Sequence, residues 1–214
     1  MKRQISGLYV IIDPAACRGR DPAWVAARAV EGGASAIQWR NKGRPRAEQL
    51  DDAPRVRDVC RAAGAIFIVN DDPDFALKLD ADGVHLGQKD MSIDAARPIV
   101  GPDRIVGVST NNVREALAAE AVGADYVAVG SIFPTATKQD TREANLERLR
   151  QVEIAVHVPV VAIGGINASN IASVVSTGAQ AAAVISAVCT ADDPAAAARE
   201  LADAFRAVRR FGHR

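Results

Sequence analysis

The sequence carries no excess of either charge. Its 214 residues include 26 basic and 26 acidic side chains, which argues against a nucleic-acid partner or a membrane-binding face, since both leave a basic surplus. No apolar run approaches the ~18 residues of a membrane span. Near the start, Leu8–Ile12 is too short for the apolar core of a secretory signal. Cysteine is scarce: Cys17, Cys60 and Cys189 are odd in number and far apart. Neither a disulfide framework nor a structural zinc site is expected, and reduced thiols in a cytoplasmic protein are. Cys60 lies in a helical pattern and is expected to pack. Also missing is a G-x-G-x-x-G turn after the first strand-like run, where the chain continues Asp13-Pro14-Ala15-Ala16. That removes an open dinucleotide-binding sheet.

What is present is a βα alternation. Nearly half the residues are apolar, 49%, enough for a sizeable core. Eight short runs read as strands: Leu8–Ile12, Ala36–Trp39, Ala65–Val69, Gly83–Gly87, Ile105–Ser109, Tyr126–Gly130, Val158–Ile163 and Ala181–Ile185. Between them lie helical patterns: Pro22–Glu31, Arg46–Ala63, Asp74–Leu79, Ser92–Ile99, Asn112–Val122, Asn145–Val156 and Ala168–Ser176, with Pro194–Arg210 after the last run. Several open on a capping residue, as at Asp21 and Asn167, and several close on glycine, as at Gly64 and Gly178. Strict alternation over roughly 200 residues predicts an α/β fold, a single (β/α)8 TIM barrel spanning 1–214 without linker or second domain.

Barrel chemistry sits at the C-terminal strand ends, and here those ends are polar, cationic or glycine. Strand two runs into Gln38, Arg40 and Lys42, strand three into Asn70 and Asp71, strand four into Gln88 and Asp90. Strand five ends at Ser109, and strand six leads through Thr135, Ala136 and Thr137 to Lys138. Strand seven ends at Gly164-Gly165 and strand eight at Ile185-Ser186. Neighbouring parallel strands bring Asp71 and Asp90 together as a seat for a hard cation such as Mg²⁺. Arg40, Lys42 and Lys138 converge on the same region and would neutralise a diphosphate. Glycines 164 and 165 with the Ile185-Ser186 backbone suit a simple phosphate. The rim thus reads as two anion sites. His85, within strand four, is expected to orient or support rather than act as a base. Trp39 alternates with Gln38 and Arg40 and should face the helices. Of the two acids after strand three, Asp72 precedes Pro73 and should cap the next helix, which leaves Asp71 for the metal. Residues Asn41–Gln49, with Gly43, Pro45 and three basic side chains, are expected to close over the diphosphate.

These residues resemble the thiamin phosphate synthase family over essentially the whole chain. The elements that carry the resemblance are Gln38-Trp39-Arg40-Asn41-Lys42, Asn70-Asp71, the run Gly83 to Gln88 with Asp90, the run Tyr126 to Lys138 with Asp140, Val161 to Ile166, and Val184-Ile185-Ser186. The resemblance implies a Mg²⁺-dependent transfer of a hydroxymethylpyrimidine group from its diphosphate to a thiazole phosphate, carboxylated or not. It implies that Gln38, Arg40, Lys42, Asn70, Ser109 and Lys138 hold the pyrimidine diphosphate, with Lys138, Arg40 and Ser109 nearest the chemistry. Asp71 and Asp90 would bind Mg²⁺, and Thr135, Ala136, Thr137, Gly165, Ile185 and Ser186 would hold the thiazole phosphate. The implied partners are these small molecules, with no nucleic acid or membrane, and association into a homo-oligomer is left open. The chain departs from the family pattern at Ser131, Asp72 and Asn111, where proline, arginine and histidine are common. Two rival readings are a thiazole tautomerase, expected to lack Lys138, Asp71 and Asp90, and a non-catalytic barrel that binds thiamin precursors.

Overall fold

The computed structural model describes residues 2–134 and 143–211, the last by its backbone alone. Eight parallel strands form a closed barrel in sequence order: β1 Gly7–Ile12, β2 Ala34–Trp39, β3 Ile66–Asn70, β4 Gly83–Leu86, β5 Ile105–Thr110, β6 Tyr126–Val129, β7 Val160–Ile163 and β8 Ala181–Val184. β8 pairs with β1 through Leu8↔Ala182 and Val10↔Val184, which closes the ring. The helices are α1 Pro22–Glu31, α2 Ala53–Ala63, α3 Pro73–Lys78, α4 Ile93–Val100, α5 Val113–Ala121, α6 Leu146–Ala155, α7 Ile171–Val175, α8 Ser186–Cys189 and α9 Pro194–Phe211. Among the described residues no helix is long and apolar enough to cross a membrane.

Period-two alternation divides the core into two layers. Leu8, Val10, Ile37, Trp39, Phe67, Val69, Val84, Val106 and Val127 pack outward against the helices. Tyr9, Ile11, Ala36, Ile66, Ile68, Ile105, Tyr126, Ala128, Val161, Ala181 and Ala183 fill the barrel interior. The same alternation sends Gln38 and Arg40 inward and Trp39 outward, as the sequence predicts. Trp39 is buried there and donates its indole N–H to Gln49 Oε1 at 2.8 Å. One interior position must be small: a Cβ on Gly107 would lie 1.9 Å from the Tyr126 ring.

The helices form for local reasons. Asp21, Ser92, Asn112 and Asn145 each accept a backbone N–H at the head of α1, α4, α5 and α6, satisfying donors that a helix start leaves unpaired. Gly64 ends α2 at φ 69, a left-handed cap that glycine adopts without strain. The thiol of Cys60, on the buried face of α2, is pushed by burial up to about 12, so it stays protonated and inert. All three cysteines are free and buried.

Two expectations need correcting, and one element was not foreseen. The pattern Arg46–Ala63 is not one helix: a 3₁₀ turn, Arg46–Leu50, precedes α2. Pro54 lacks the N–H that would carry the ladder through, and it suits the first turn of a new helix instead. Asn167 does not cap α7; its side chain closes a turn on Ser169, and α7 starts at Ile171. The short α8 after β8 is too brief to leave a periodic signature.

Candidate active site

A cavity of about 580 Å³ opens at the C-terminal mouth of the barrel, within the range of small-molecule sites. It is lined by Gln38, Arg40, Lys42, Asn70, Asp71, Asp90, Ser109, Gly165, Ile185 and Ser186. Every one of the site residues named from the sequence that falls among the described residues is therefore in one place. Thr135, Ala136, Thr137 and Lys138 lie outside the described residues. The flanks of that segment are tied down by Asn111, whose amide donates to the Gly130 and Glu143 carbonyls at 3.2 and 3.3 Å and whose oxygen accepts from Arg148 at 2.9 Å.

The acidic pair is formed by the loops after β3 and β4. Asp71 sits at φ 65, a left-handed conformation that aspartate tolerates better than most residues. Its N–H donates to the His85 carbonyl at 2.7 Å. Burial, then a hydrogen bond to Asp90, holds its carboxyl above the usual carboxylate range, against the pull of Lys42 at 2.7 Å. Burial also pushes Asp90 upward, but its hydrogen bonds to Asp71 and to the Gly87 N–H outweigh that and keep it below its ordinary value. The two carboxyls thus perturb each other in opposite directions, Asp71 upward and Asp90 downward. Asp72 faces the other way. Its Oδ1 accepts from the Phe75 N–H at 2.9 Å as the cap of α3, and its Oδ2 pairs with Arg46. The cap predicted from Asp72-Pro73 is observed, and Asp71, not Asp72, lines the cavity.

Arg40 is held by a partner that the sequence reading missed. Its guanidinium pairs with Asp13, and both side chains are largely buried. Asp13 is the first residue after β1 and also caps a one-turn 3₁₀ helix through Ala15 N–H. Its position after the first strand was a usable signal, but its contact with Arg40 exists only because β1 and β2 pair in register Ile12↔Trp39. Lys89, which also lines the cavity, was missed too.

A second omission is deeper. Gln38, at the end of β2, donates from Nε2 to Tyr9 Oη at 2.8 Å, and Tyr9 lies 3.2 Å from Tyr126 Oη. Tyr126 in turn is 2.9 Å from His85 Nδ1, and His85 Nε2 is 2.9 Å from Ser109 Oγ. His85 thus has the supporting environment expected of it, not the exposed position of a base.

On the opposite wall, Gly164 and Gly165 take φ 104 and 63. A Cβ on either would strike the 131–134 loop, at 2.2 Å from Ser131 Oγ and 2.6 Å from the Pro134 carbonyl. The glycines therefore also seat that loop. Gly165 N–H has no acceptor among the described residues. Ser186 begins α8, and the N–H groups of Ser186 and Ala187 have no acceptor among the described residues, whereas those of Val188 and Cys189 are taken by the Ile185 carbonyl. These donors border the cavity and can take an anion. Among the described residues no group of three or more metal-ligating side chains occurs; the acidic centre is a pair.

The family described as thiamine monophosphate synthase matches residues 8–188. The thiamine-phosphate synthase of Chloroflexus aurantiacus is 47% identical over 195 residues, covering 91% of this chain and 90% of its own. That of Moorella thermoacetica is likewise 47% identical, covering 91% and 93%. Among solved structures, the thiamine phosphate pyrophosphorylase of Pyrococcus furiosus superposes with a TM-score of 0.87 at 44% identity, covering 94% of this chain and 96% of that one.

Proposed function

The chain belongs to the thiamine monophosphate synthase family, and we propose that it carries out the synthase reaction. A 4-amino-2-methylpyrimidine-5-methyl group leaves its diphosphate and is captured by the ring nitrogen of 4-methyl-5-(2-phosphoethyl)thiazole, or of its carboxylated form. The products are thiamine phosphate and pyrophosphate, with carbon dioxide released as well when the thiazole is carboxylated. The observation that carries this reading is one cavity with two unlike anion-binding walls: basic side chains around an acidic pair on one side, unpaired backbone N–H groups on the other.

In this reading Gln38 and Asn70 orient the pyrimidine, while Arg40, Lys42, Ser109 and Lys138 hold the diphosphate. Buried Asp13 fixes the Arg40 fork, so its geometry is set before substrate arrives. Lys42 exchanges Asp71 for the diphosphate. Gly165, Ile185 and Ser186, with Thr135, Ala136 and Thr137, hold the thiazole phosphate and bring its nitrogen to the methylene carbon. The C–O bond to the diphosphate breaks heterolytically, the aminopyrimidine delocalises the positive charge, and the thiazole lone pair forms the new C–N bond. No proton leaves a carbon or oxygen at the reacting centre, which suits a cavity whose histidine is engaged with Tyr126 and Ser109. The main task of the protein is to stabilise the departing charge and exclude water.

The acidic pair fits a divalent cation. Two carboxyls within hydrogen-bonding reach of each other, with Lys42 paired to Asp71, form an acidic centre that Mg²⁺ would neutralise. Asp71 and Asp90 would hold it, and when bound it supplies charge stabilisation for the leaving diphosphate. A cytoplasmic setting belongs to the same reading, supported by three reduced thiols. The test is direct: purified protein with both substrates and Mg²⁺ should yield thiamine phosphate and pyrophosphate, and chelator should stop it. Conversion of the thiazole phosphate alone would favour the tautomerase reading, and binding of both substrates without turnover the non-catalytic one.

A further inference from the structure

The five-residue chain across the barrel, Gln38–Tyr9–Tyr126–His85–Ser109, has a direction. Tyr9 and Tyr126 are the two tyrosines of the protein, and both are fully buried in its interior. Burial raises both phenols far above their ordinary value, so each keeps its one proton. A neutral phenol between two polar neighbours must accept from one and donate to the other. The alternative leaves a buried O–H without an acceptor, which is disfavoured. Setting one bond therefore sets all the rest.

Gln38 Nε2 donates to Tyr9. Tyr9 must then donate to Tyr126, and Tyr126 to His85 Nδ1. In a neutral imidazole that places the proton on Nε2, from which it is donated to Ser109 Oγ. The Ser109 hydroxyl has no other side-chain partner among the described residues, so its own proton is offered to the cavity. At the far end, Gln38 Oε1 has no partner among the described residues and faces the cavity as an acceptor.

We propose that Tyr9, Tyr126 and His85 are positioning residues that impose this one direction, so that the cavity presents an acceptor at Gln38 and a hydroxyl donor at Ser109. The site then selects a ring bearing an N–H donor, such as an exocyclic amino group, whose substituent carries an anionic oxygen. This rests on the proposed reaction for the identity of the ring and adds to it the source of the selectivity. A lone glutamine discriminates poorly, because its carboxamide can turn over and serve a ring carbonyl equally well. Here turning Gln38 would require Tyr9, Tyr126, His85 and Ser109 to reverse with it, so the carboxamide is locked.

Two measurements test this. The first needs no substrate. Long-range ¹⁵N–¹H correlation on the histidine-labelled protein, with the His85 signals identified by their loss in His85→Gln, should show a protonated Nε2 and an unprotonated Nδ1. The opposite tautomer, an even mixture or a doubly protonated ring overturns the proposal. The second compares kcat/KM for the aminopyrimidine diphosphate and its oxo analogue. A buried site built for a donor rejects the wrong partner by roughly 10⁴-fold. Tyr126→Phe and Tyr9→Phe each cut the chain while leaving both ends in place, and each should lower that ratio by about tenfold or more, with a mixed His85 tautomer in Tyr126→Phe. A merely structural loss would slow both rings alike and leave the ratio unchanged, and that result in a folded variant overturns the proposal. The expected tautomer with turnover of neither ring would overturn the assigned reaction and uphold the direction of the chain.

Discussion

Substitutions at Asp71 and Asp72 should separate metal binding from helix capping at one strand end. Asp72 Oδ1 caps α3 through the Phe75 N–H at 2.9 Å. Losing such a cap costs about 1 kcal/mol. The accompanying Arg46 pair is half-exposed, with side chains 48% and 30% accessible, and adds only a fraction of about 1 kcal/mol. For a chain of this size, about 1 kcal/mol moves Tm by roughly 2–4 °C, so Asp72→Ala should melt roughly 2–6 °C lower. Asp72→Asn keeps the capping oxygen and should stay within about 2 °C of the parent. Asp71→Asn should cost no stability: asparagine tolerates φ 65, and the variant removes one of two crowded carboxyls. Its effect should appear on adding Mg²⁺. At a hundredfold excess over Kd a bound ion stabilises by about 2.7 kcal/mol, roughly 5–10 °C here. That upshift should be present in the parent and in both Asp72 variants and missing in Asp71→Asn, together with the activity. Scanning calorimetry with and without Mg²⁺ reads both effects. A metal upshift retained by Asp71→Asn and lost by Asp72→Asn would refute the assignment.

Lys138→Ala should leave the melt unchanged and slow the single-turnover rate by roughly 10²–10³-fold, the usual cost of removing one charge-stabilising donor; a rate equal to the parent's makes Lys138 a bystander. Gly107→Ala drives a methyl into the Tyr126 ring 1.9 Å away and should cost roughly 1–3 kcal/mol or more in a chemical melt. Limited proteolysis of Asn41–Gln49 should slow when a diphosphate analogue is bound, with Lys42 drawn from Asp71; cleavage at an unchanged rate argues against closure. Asp193 accepts the Ala196 and Ala195 N–H groups at the head of α9, and those bonds, the Ala196 one foremost, depress its carboxyl despite opposing desolvation. A depressed acid contributes stability above its unfolded value that is lost as pH falls through the folded one. Asp193→Asn, which caps without titrating, should therefore narrow its stability deficit as pH drops below about 4; a deficit independent of pH would refute the linkage.

The sequence by itself determined the alternation of strand and helix, the inward course of Gln38 and Arg40, the outward course of Trp39, and the choice of Asp72 over Asp71 as the cap of α3. All of these rest on local rules: a two-residue period, a proline at a helix start, a carboxylate that caps. The residues around the mouth could be named because a barrel gathers its strand ends on one face. Tertiary structure alone decided which polar groups meet. Asp13 and Arg40 touch only through the β1–β2 register, and Tyr9 and Tyr126, 117 residues apart, touch only because the ring closes and Gly107 leaves room for a phenol. Contacts across a barrel depend on register and closure, which no local pattern encodes. The direction of the chain from Gln38 to Ser109 depends in turn on those contacts, and on the burial of the two phenols, which makes each proton need an acceptor.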